Sequence, residues 1–336
     1  ERWVYETVTA LEKGDSEVKP LPEDSEDSES ISEKLRGDLL KQGSILDTAN
    51  QKKFEIILAA SGKAIVLTRT EEQAKHLIQV VTTRALKDAP GLDMCGAYLT
   101  FAPEDFDNAE EFSNRFNQLL DDIHRKHAYI HAKRPGNATR FLRLPIIENC
   151  KTSNLPAAGL QEQPSPAGQP ASDPLPCSAV SKAKIKARDQ ASERLNKLLK
   201  TGATGGEHWT FPKNSHQLEQ ALKQSADNNW LAVVHADGNG LGQIFLNFAT
   251  HLDVTHLDTG ERKLAAAFAK LRQFSIELDR CTENAFREAL HNTFPTPPPR
   301  SRIPRHFNRQ APASSSGPSD FGRRRSHRPL RWPQSP

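Results

Sequence analysis

Long apolar runs are absent from this 336-residue sequence, and no stretch approaches the roughly 20 apolar residues of a membrane-spanning helix. Cysteine is also scarce, with four residues that show no paired spacing, so the sequence gives no indication of a disulfide framework. No signal peptide is recognisable, and the sequence therefore predicts a reduced, cytoplasmic protein without membrane contact. The chain opens at Glu1 rather than at methionine, which indicates a processed or incomplete N-terminus.

The chain also has almost no net charge, because 45 Lys and Arg residues are balanced by 42 Asp and Glu residues. Residues 295–336 nevertheless contain nine arginines, no lysine and a single acid, Asp320. With +3 for the whole chain, the remainder carries about −5, so the folded part is expected to be mildly acidic. Global charge therefore gives no argument for nucleic-acid binding. A mean hydropathy of −0.65 and 23 prolines indicate that much of the chain lies outside a packed core.

The most specific stretch is Leu231–Phe245, an apolar run that leads into Asp237 and three glycines. This pattern predicts a buried strand, a tight loop and then a helix whose first amides point at the loop. Three familiar loops do not fit. A calcium loop would need ligands where Leu241 and Phe248 stand, a dinucleotide fingerprint would need its third glycine at Gln243, and the Gly-Lys-Ser/Thr of a P-loop is absent. A structural turn and a phosphate-binding loop beside a cation both remain open.

The sequence around Asp237, His-Ala-Asp-Gly-Asn-Gly-Leu-Gly, resembles the matching segment in the second palm of the Cas10/Cmr2 family. Members of this family are the large subunits of type III CRISPR effectors of antiviral defence and their stand-alone relatives. The palm is the ferredoxin-like α+β fold shared by nucleotidyl cyclases and polymerases. The resemblance implies that Asp237 binds Mg²⁺ or Mn²⁺, and that the loop binds the phosphates of ATP through Gly238, Asn239, Gly240 and Gly242.

In the Cas10/Cmr2 family a later hairpin with the motif Gly-Gly-Asp-Asp completes the site for metal-dependent synthesis of cyclic oligonucleotides. That motif does not occur here, and after Phe294 the composition changes abruptly to proline and arginine. One interpretation is a disordered basic tail that binds nucleic acid. We favour a shifted reading frame, because the break falls inside a domain. No catalytic residue is assigned, enzymatic activity is left open, and a nucleotide-binding remnant with little or no cyclase activity is expected.

An earlier segment has the pattern of a degenerate first palm. Two β-rich runs around a Ser-Gly turn predict a hairpin over Phe54–Thr68. Thr70 is expected to cap a helix that ends near Lys87, with Ala74, Leu77, Ile78, Val81 and Leu86 on its buried stripe. A strand over Met94–Phe101 and a helix from Ala109 to about Lys133 complete the order hairpin, helix, strand, helix.

The hairpin turn of this first palm is Ala-Ser-Gly-Lys, over residues 60–63. In the Cas10/Cmr2 family an acidic tetrad lies at this turn, and neither glycine nor lysine can hold a divalent cation. The resemblance therefore implies a structural, inactive copy. An ordinary α+β hairpin unit without cyclase ancestry is the alternative.

The connecting region contains Cys150 and Cys177, which are interpreted either as relics of a zinc ribbon or as two unliganded thiols. We favour thiols, because one cysteine per knuckle is far from four ligands. Residues 157–176 are predicted to be a mobile loop, and residues 178–200 a basic helix with a solvated or phosphate-contacting face. The predicted parts are a helix with an acidic linker (1–53), the degenerate first palm (54–133), the connecting segment (134–215), the N-terminal half of the second palm (216–294) and a disordered tail (295–336).

Two other functions remain open at this stage. The first is a non-catalytic scaffold that binds RNA or the other subunits of a CRISPR effector. The second is a signalling nucleotide cyclase, which shares the palm but rarely has a degenerate copy in front of it.

Overall fold

The computed structural model describes residues 2–15, 17–19, 31–60, 62–162, 173–200, 217–220, 234–235 and 240–293. These residues form helices and two small antiparallel sheets, which is α+β structure as predicted. None of the helices in these ranges is both long and apolar enough to cross a membrane. The helices are α1 (Arg2–Lys13), α2 (Ile31–Leu40), α3 (Glu71–Asp88), α4 (Ala109–Ala132), α5 (Asn137–Arg140), α6 (Ala179–Lys200), α7 (Leu241–Leu246) and α8 (Gly260–Thr293); the strands are β1 (Phe54–Ala60), β2 (Lys63–Thr68), β3 (Gly159–Gln161) and β4 (Leu175–Cys177).

Strands β1 and β2 form the predicted hairpin, and the structure confirms it. They pair antiparallel, from Phe54 opposite Thr68 to Ala60 opposite Lys63. Gly62 in the turn has a φ of 76°, a left-handed conformation that glycine adopts without steric cost. The other turn residue, Ser61, lies outside the described residues.

Helix α3 begins as predicted, at a capping box. The Thr70 side chain accepts a hydrogen bond from the Gln73 N–H, and the Gln73 side chain accepts one from the Thr70 N–H. Leu77 and Val81 are buried as expected. Leu86 is 53% exposed, so the prediction that it lies on the buried stripe is wrong. Ala85 is buried instead.

The strand predicted over Met94–Phe101 does not form, since residues 92–102 have no regular secondary structure. Side chains of α3, of α4 and of the residues just after α4 contact this segment instead. The Met94 carbonyl accepts a hydrogen bond from Arg134, the Cys95 Sγ lies 3.2 Å from the His127 Nε2, and the Tyr98 hydroxyl donates to Glu71 over 3.0 Å. The sheet of this region therefore has two strands, fewer than a palm requires.

The main core lies where α4 and α8 meet the β1–β2 hairpin. Phe112 and Phe116 of α4 stack with ring centroids 5.8 Å apart, and Phe116 lies 5.2 Å from Phe268 of α8. The sequence predicts α4, and it also predicts a long helix over Glu261–Leu290 whose apolar stripe is Leu264, Phe268, Leu271, Phe274, Leu278, Cys281, Ala285 and Phe286. The structure confirms both helices. The predicted apolar stripe of α8 is buried only in its first half, because Cys281 and Phe286 are exposed; the buried members of that stripe are Leu264, Phe268 and Leu271.

Charged side chains tie α8 to three distant segments. At its start, the Gly260 N–H donates to the Asp107 side chain. In its middle, Arg272 contacts Glu55 of β1. Near its end, Asp279 and Glu283 accept hydrogen bonds from Arg36 of α2, whose side chain is largely buried. The Arg36 Nε and Nη2 atoms donate to Asp279, and its Nη1 and Nη2 atoms donate to Glu283.

The mobile loop predicted for residues 157–176 is wrong at both of its described ends. Strands β3 and β4 pair antiparallel there, with Gly159 opposite Cys177 and Gln161 opposite Leu175. Residues 163–172 lie outside the described part of the chain. Helix α6 follows directly, which confirms the predicted helix over these residues.

Candidate functional site

The centre of the predicted nucleotide site, Asp237, Gly238 and Asn239, lies outside the described residues. Two residues of the predicted buried strand are described. Val234 is 88% exposed, and His235 is also exposed; neither belongs to a strand. The buried strand is therefore wrong at these two positions, and the side of the loop that precedes Asp237 is open to solvent there.

The turn that follows Asp237 is confirmed at its described residues. Gly240 has φ 80° and ψ −6°, and it caps the start of α7. The Gly240 carbonyl accepts hydrogen bonds from the Gln243 and Ile244 N–H groups over 3.0 and 3.3 Å. Among the described residues, no atom lies within 4 Å of a Cβ added to Gly240 or Gly242, so these residues leave room for a ligand to approach the backbone at both glycines.

The C-terminal side of this turn is fixed to the core. Phe245 and Phe248 pack on Phe274 of α8, with ring centroids 5.3 and 5.7 Å apart. The Ala249 N–H donates to the Asn117 side chain, and the Ala249 carbonyl accepts a hydrogen bond from Ser113; these distances are 3.3 and 3.1 Å. The glycine turn is thus attached, through the residues that follow it, to α4 and α8.

The hairpin turn that would carry acids in an active first palm presents none among its described residues. Lys63 is exposed at this turn. Burial, followed by the charge of Lys63, lowers the pKa of His124 on α4 below its ordinary value. Lys63 therefore places a positive charge at this turn.

The prediction of a metal ion at the glycine loop rests on the sequence pattern alone. In the ranges that the structure describes, no group of three or more His, Cys, Asp and Glu side chains could hold a metal ion. Asp237, the predicted ligand of Mg²⁺ or Mn²⁺, is not among those residues.

A cluster that the sequence did not predict surrounds Cys150 in the connecting segment. Its Sγ lies 3.2 Å from the Thr152 Oγ1 and 3.4 Å from the Ser181 Oγ. Burial alone would raise the pKa of this thiol, but hydrogen bonds with Ser153, Ser181, Thr152 and the backbone of Ser178 lower it to about 4. Serine and threonine are common residues, so the cluster is recognisable only from their proximity in the folded structure.

A groove between α3 and α4 is a second feature that sequence patterns did not indicate. Its volume is about 380 Å³, and Tyr98 lies in its wall. The Lys75 and Lys126 ammonium groups lie 5.6 and 4.8 Å from the centre of the Tyr98 ring. Lys75 is also paired with Glu71 at 2.6 Å. The groove thus combines an aromatic ring with two exposed cations.

No protein-family model matches this chain, and no curated protein matches it.

Proposed function

We propose that this chain is a nucleotide-binding protein of the Cas10/Cmr2 kind that takes part in antiviral defence. In this proposal Asp237 holds a divalent cation, and the backbone of Gly238, Asn239, Gly240 and Gly242 contacts the phosphates of ATP. The observation that carries it is the turn at Gly240, which is left-handed, open to a ligand and fixed to the core through α7. Glycine turns of this type let a phosphate approach backbone N–H groups closely.

The palm part of the proposal is supported by the hairpin β1–β2 and the helices α3 and α4, in the order expected for a degenerate copy. The absent strand at residues 94–101 counts against a complete first palm. We therefore propose a reduced palm-like unit with a structural role.

Binding without turnover is the expected activity. Two-metal nucleotidyl transfer needs several carboxylates to place both ions, whereas the glycine loop offers Asp237 alone. When bound, Mg²⁺ or Mn²⁺ would neutralise phosphate charge beside this carboxylate. The chain's own part is to hold the cation and to orient the triphosphate along the glycine turn.

Equilibrium binding of labelled ATP in Mg²⁺, Mn²⁺ and EDTA tests the proposal. We expect metal-dependent binding that Asp237→Ala abolishes, with Asp253→Ala as the matched control because Asp253 is an exposed aspartate outside the loop. Equal affinity of Asp237→Ala and the unmodified chain would leave the loop as a structural turn. Robust cyclic product from ATP would contradict the expected lack of turnover.

A second candidate, a scaffold that binds RNA, is favoured by the groove at Tyr98. Aromatic rings stack on bases and lysines neutralise phosphates, which is how proteins hold single strands. The full-length Lys75→Ala/Lys126→Ala variant should bind single-stranded RNA more weakly than Lys34→Ala/Lys270→Ala, which removes two other exposed lysines. For the Lys75→Ala/Lys126→Ala variant, the slope of the log binding constant against the log salt concentration should be less steep by about 1.4, because each phosphate contact contributes about 0.7. Identical slopes for the two variants would exclude the groove.

A further inference from the structure

Cys150 and Cys177 lie on adjacent segments beside the β3–β4 hairpin. The Lys151 N–H, next to Cys150, donates to the carbonyl of Pro176, next to Cys177, over 3.4 Å. Both thiols are buried, with exposures of 3% and 5%, and neither forms a disulfide. The polypeptide therefore brings two reduced cysteines together although 26 residues separate them in the sequence.

The surroundings of the two thiols are polar. The Ser153 and Ser178 hydroxyls lie 2.9 Å apart, and Ser181 lies 2.9 Å from Thr152 and 3.3 Å from Ser178. These hydroxyls can rotate to donate to a sulfur anion or to an oxygen bound to sulfur.

The two thiols are not equivalent. Hydroxyl groups surround Cys150, and its hydrogen bonds with Ser153, Ser181 and Thr152 favour the thiolate form despite burial. Burial, the charge of Cys150 and a hydrogen bond with it all raise the pKa of Cys177 above its ordinary value. Cys150 is accordingly the nucleophile of the pair, and Cys177 is a protonated neighbour.

We propose that Cys150 and Cys177 are a peroxide-reactive pair that closes reversibly to a disulfide, with Cys150 as the attacking sulfur and Cys177 as the resolving one. A hydroperoxide is the oxidant that fits the burial, because hydrogen peroxide is far smaller than a disulfide reagent such as oxidised glutathione. The proposal does not depend on nucleotide or RNA binding.

The reaction has two steps. The Cys150 thiolate attacks one oxygen of hydrogen peroxide, an S–O bond forms, the O–O bond breaks, and hydroxide leaves, so that Cys150 becomes a sulfenic acid. The Cys177 sulfur then attacks the Cys150 sulfur, its proton joins the departing hydroxyl, and water leaves. One thiolate and one thiol are oxidised to one disulfide, while hydrogen peroxide, the Cys177 proton and one further proton become two water molecules. An external dithiol reverses the change by thiol–disulfide exchange.

Peptide mapping of the full-length protein after hydrogen peroxide treatment tests the proposal. We expect a non-reduced peptide pair linked through Cys150 and Cys177, which dithiothreitol separates. The Cys95→Ser/Cys281→Ser background should give the same link, because it lacks only the other two cysteines. Absence of the link while the exposed Cys281 is oxidised in the unmodified chain would overturn the proposal.

The roles of the two sulfurs are tested by trapping the sulfenic acid with dimedone. In the Cys177→Ser variant, dimedone should label Cys150. In the Cys150→Ser variant, dimedone should not label Cys177. The labelling rate of Cys150 should change less than twofold between pH 6 and pH 8, whereas an ordinary thiol gains thiolate roughly 75-fold. Preferential labelling of Cys177 would overturn the assignment. If either serine variant loses its helical circular dichroism, the peptide link in the unmodified chain decides alone.

Discussion

The Arg272 guanidinium of α8 lies 3.1 Å from the Glu55 carboxylate of β1, and both side chains are almost completely buried. Glu55 also accepts hydrogen bonds from the Ser44 hydroxyl and the Ile45 N–H, over 3.1 and 2.9 Å. Arg272 donates in addition to the Ile56 carbonyl over 3.0 Å. The pair is therefore hydrogen-bonded on both sides, which is the condition under which a buried ion pair is tolerated.

Replacing Arg272 alone should be severely destabilising. In Arg272→Met the Glu55 carboxylate stays buried without its counter-charge, and we expect the free energy of unfolding to fall by about 3–5 kcal/mol. The Glu55→Gln/Arg272→Met double variant should recover part of this loss. Urea denaturation measures both changes. Arg262→Met is the matched control, because Arg262 pairs with Asp258 at the surface and its loss should leave stability nearly unchanged; a similar loss in both variants would contradict the prediction.

Gly260 should not tolerate a side chain. A Cβ at this position would overlap the Pro103 carbonyl oxygen and press on Asp107, so Gly260→Ala must shift the start of α8. We expect a loss of about 1–3 kcal/mol in thermal or urea unfolding. Gly37→Ala in α2 serves as the control, because its Cβ meets nothing within 4 Å and alanine should stabilise the helix by about 0.5–1 kcal/mol. An unchanged Gly260→Ala variant would show that this contact is dispensable.

The two described glycines of the candidate nucleotide loop should respond differently to alanine. Gly240 has a positive φ, so Gly240→Ala should lose about 1–2 kcal/mol, since a Cβ is strained in the left-handed region. Gly242 lies within α7 in open space, and Gly242→Ala should keep or slightly raise stability. Calorimetry of both variants measures the difference. Binding of labelled ATP should weaken with Gly240→Ala, and equal stability of the two variants would refute the strain argument.

Tyr5 should give the protein a stability change at alkaline pH. Burial, the hydrogen bond to Asp38 over 2.9 Å and the charge of Asp38 raise the pKa of Tyr5 to about 12. Because this pKa is higher in the folded state, the contribution is complete below the ordinary pKa near 10 and is lost as the pH rises through about 12. Tyrosinate absorbance should show a high-pH step that Tyr5→Phe removes. The step should persist in Tyr129→Phe, which removes an exposed tyrosine.

Local patterns were sufficient where neighbours in the sequence determine the structure. Thr70 and Gln73 predict their own capping box, and the Ser-Gly turn predicts the β1–β2 hairpin. Local patterns failed at residues 94–101, where they predicted a strand. Contacts with His127 and Glu71, from two helices, override the β-rich composition there. The pairing of β3 with β4 was missed for a related reason, because three-residue strands leave almost no periodic signal.

The candidate sites show the same limit. The tight turn before α7 was predicted from the glycine-rich sequence and is confirmed at Gly240, whereas the role of Asp237 stays a prediction. The hydroxyls around Cys150 come from residues 152–153 and 178–181, so no short motif contains the cluster. Helical periodicity also gave no sign that Lys263 and Arg272 would be buried, since their partners are the Asp107 carbonyl and Glu55.

The attachment of α8 to early segments of the chain affects how the protein is made. Glu55 and Arg272 are 217 positions apart, and ribosomes add roughly 5–20 residues per second. The Glu55 carboxylate therefore waits about 10–40 s for its counter-charge during synthesis. Until α8 emerges, the aromatic face of α4 is uncovered on the nascent chain, and this interval is when chaperones and proteases compete for it.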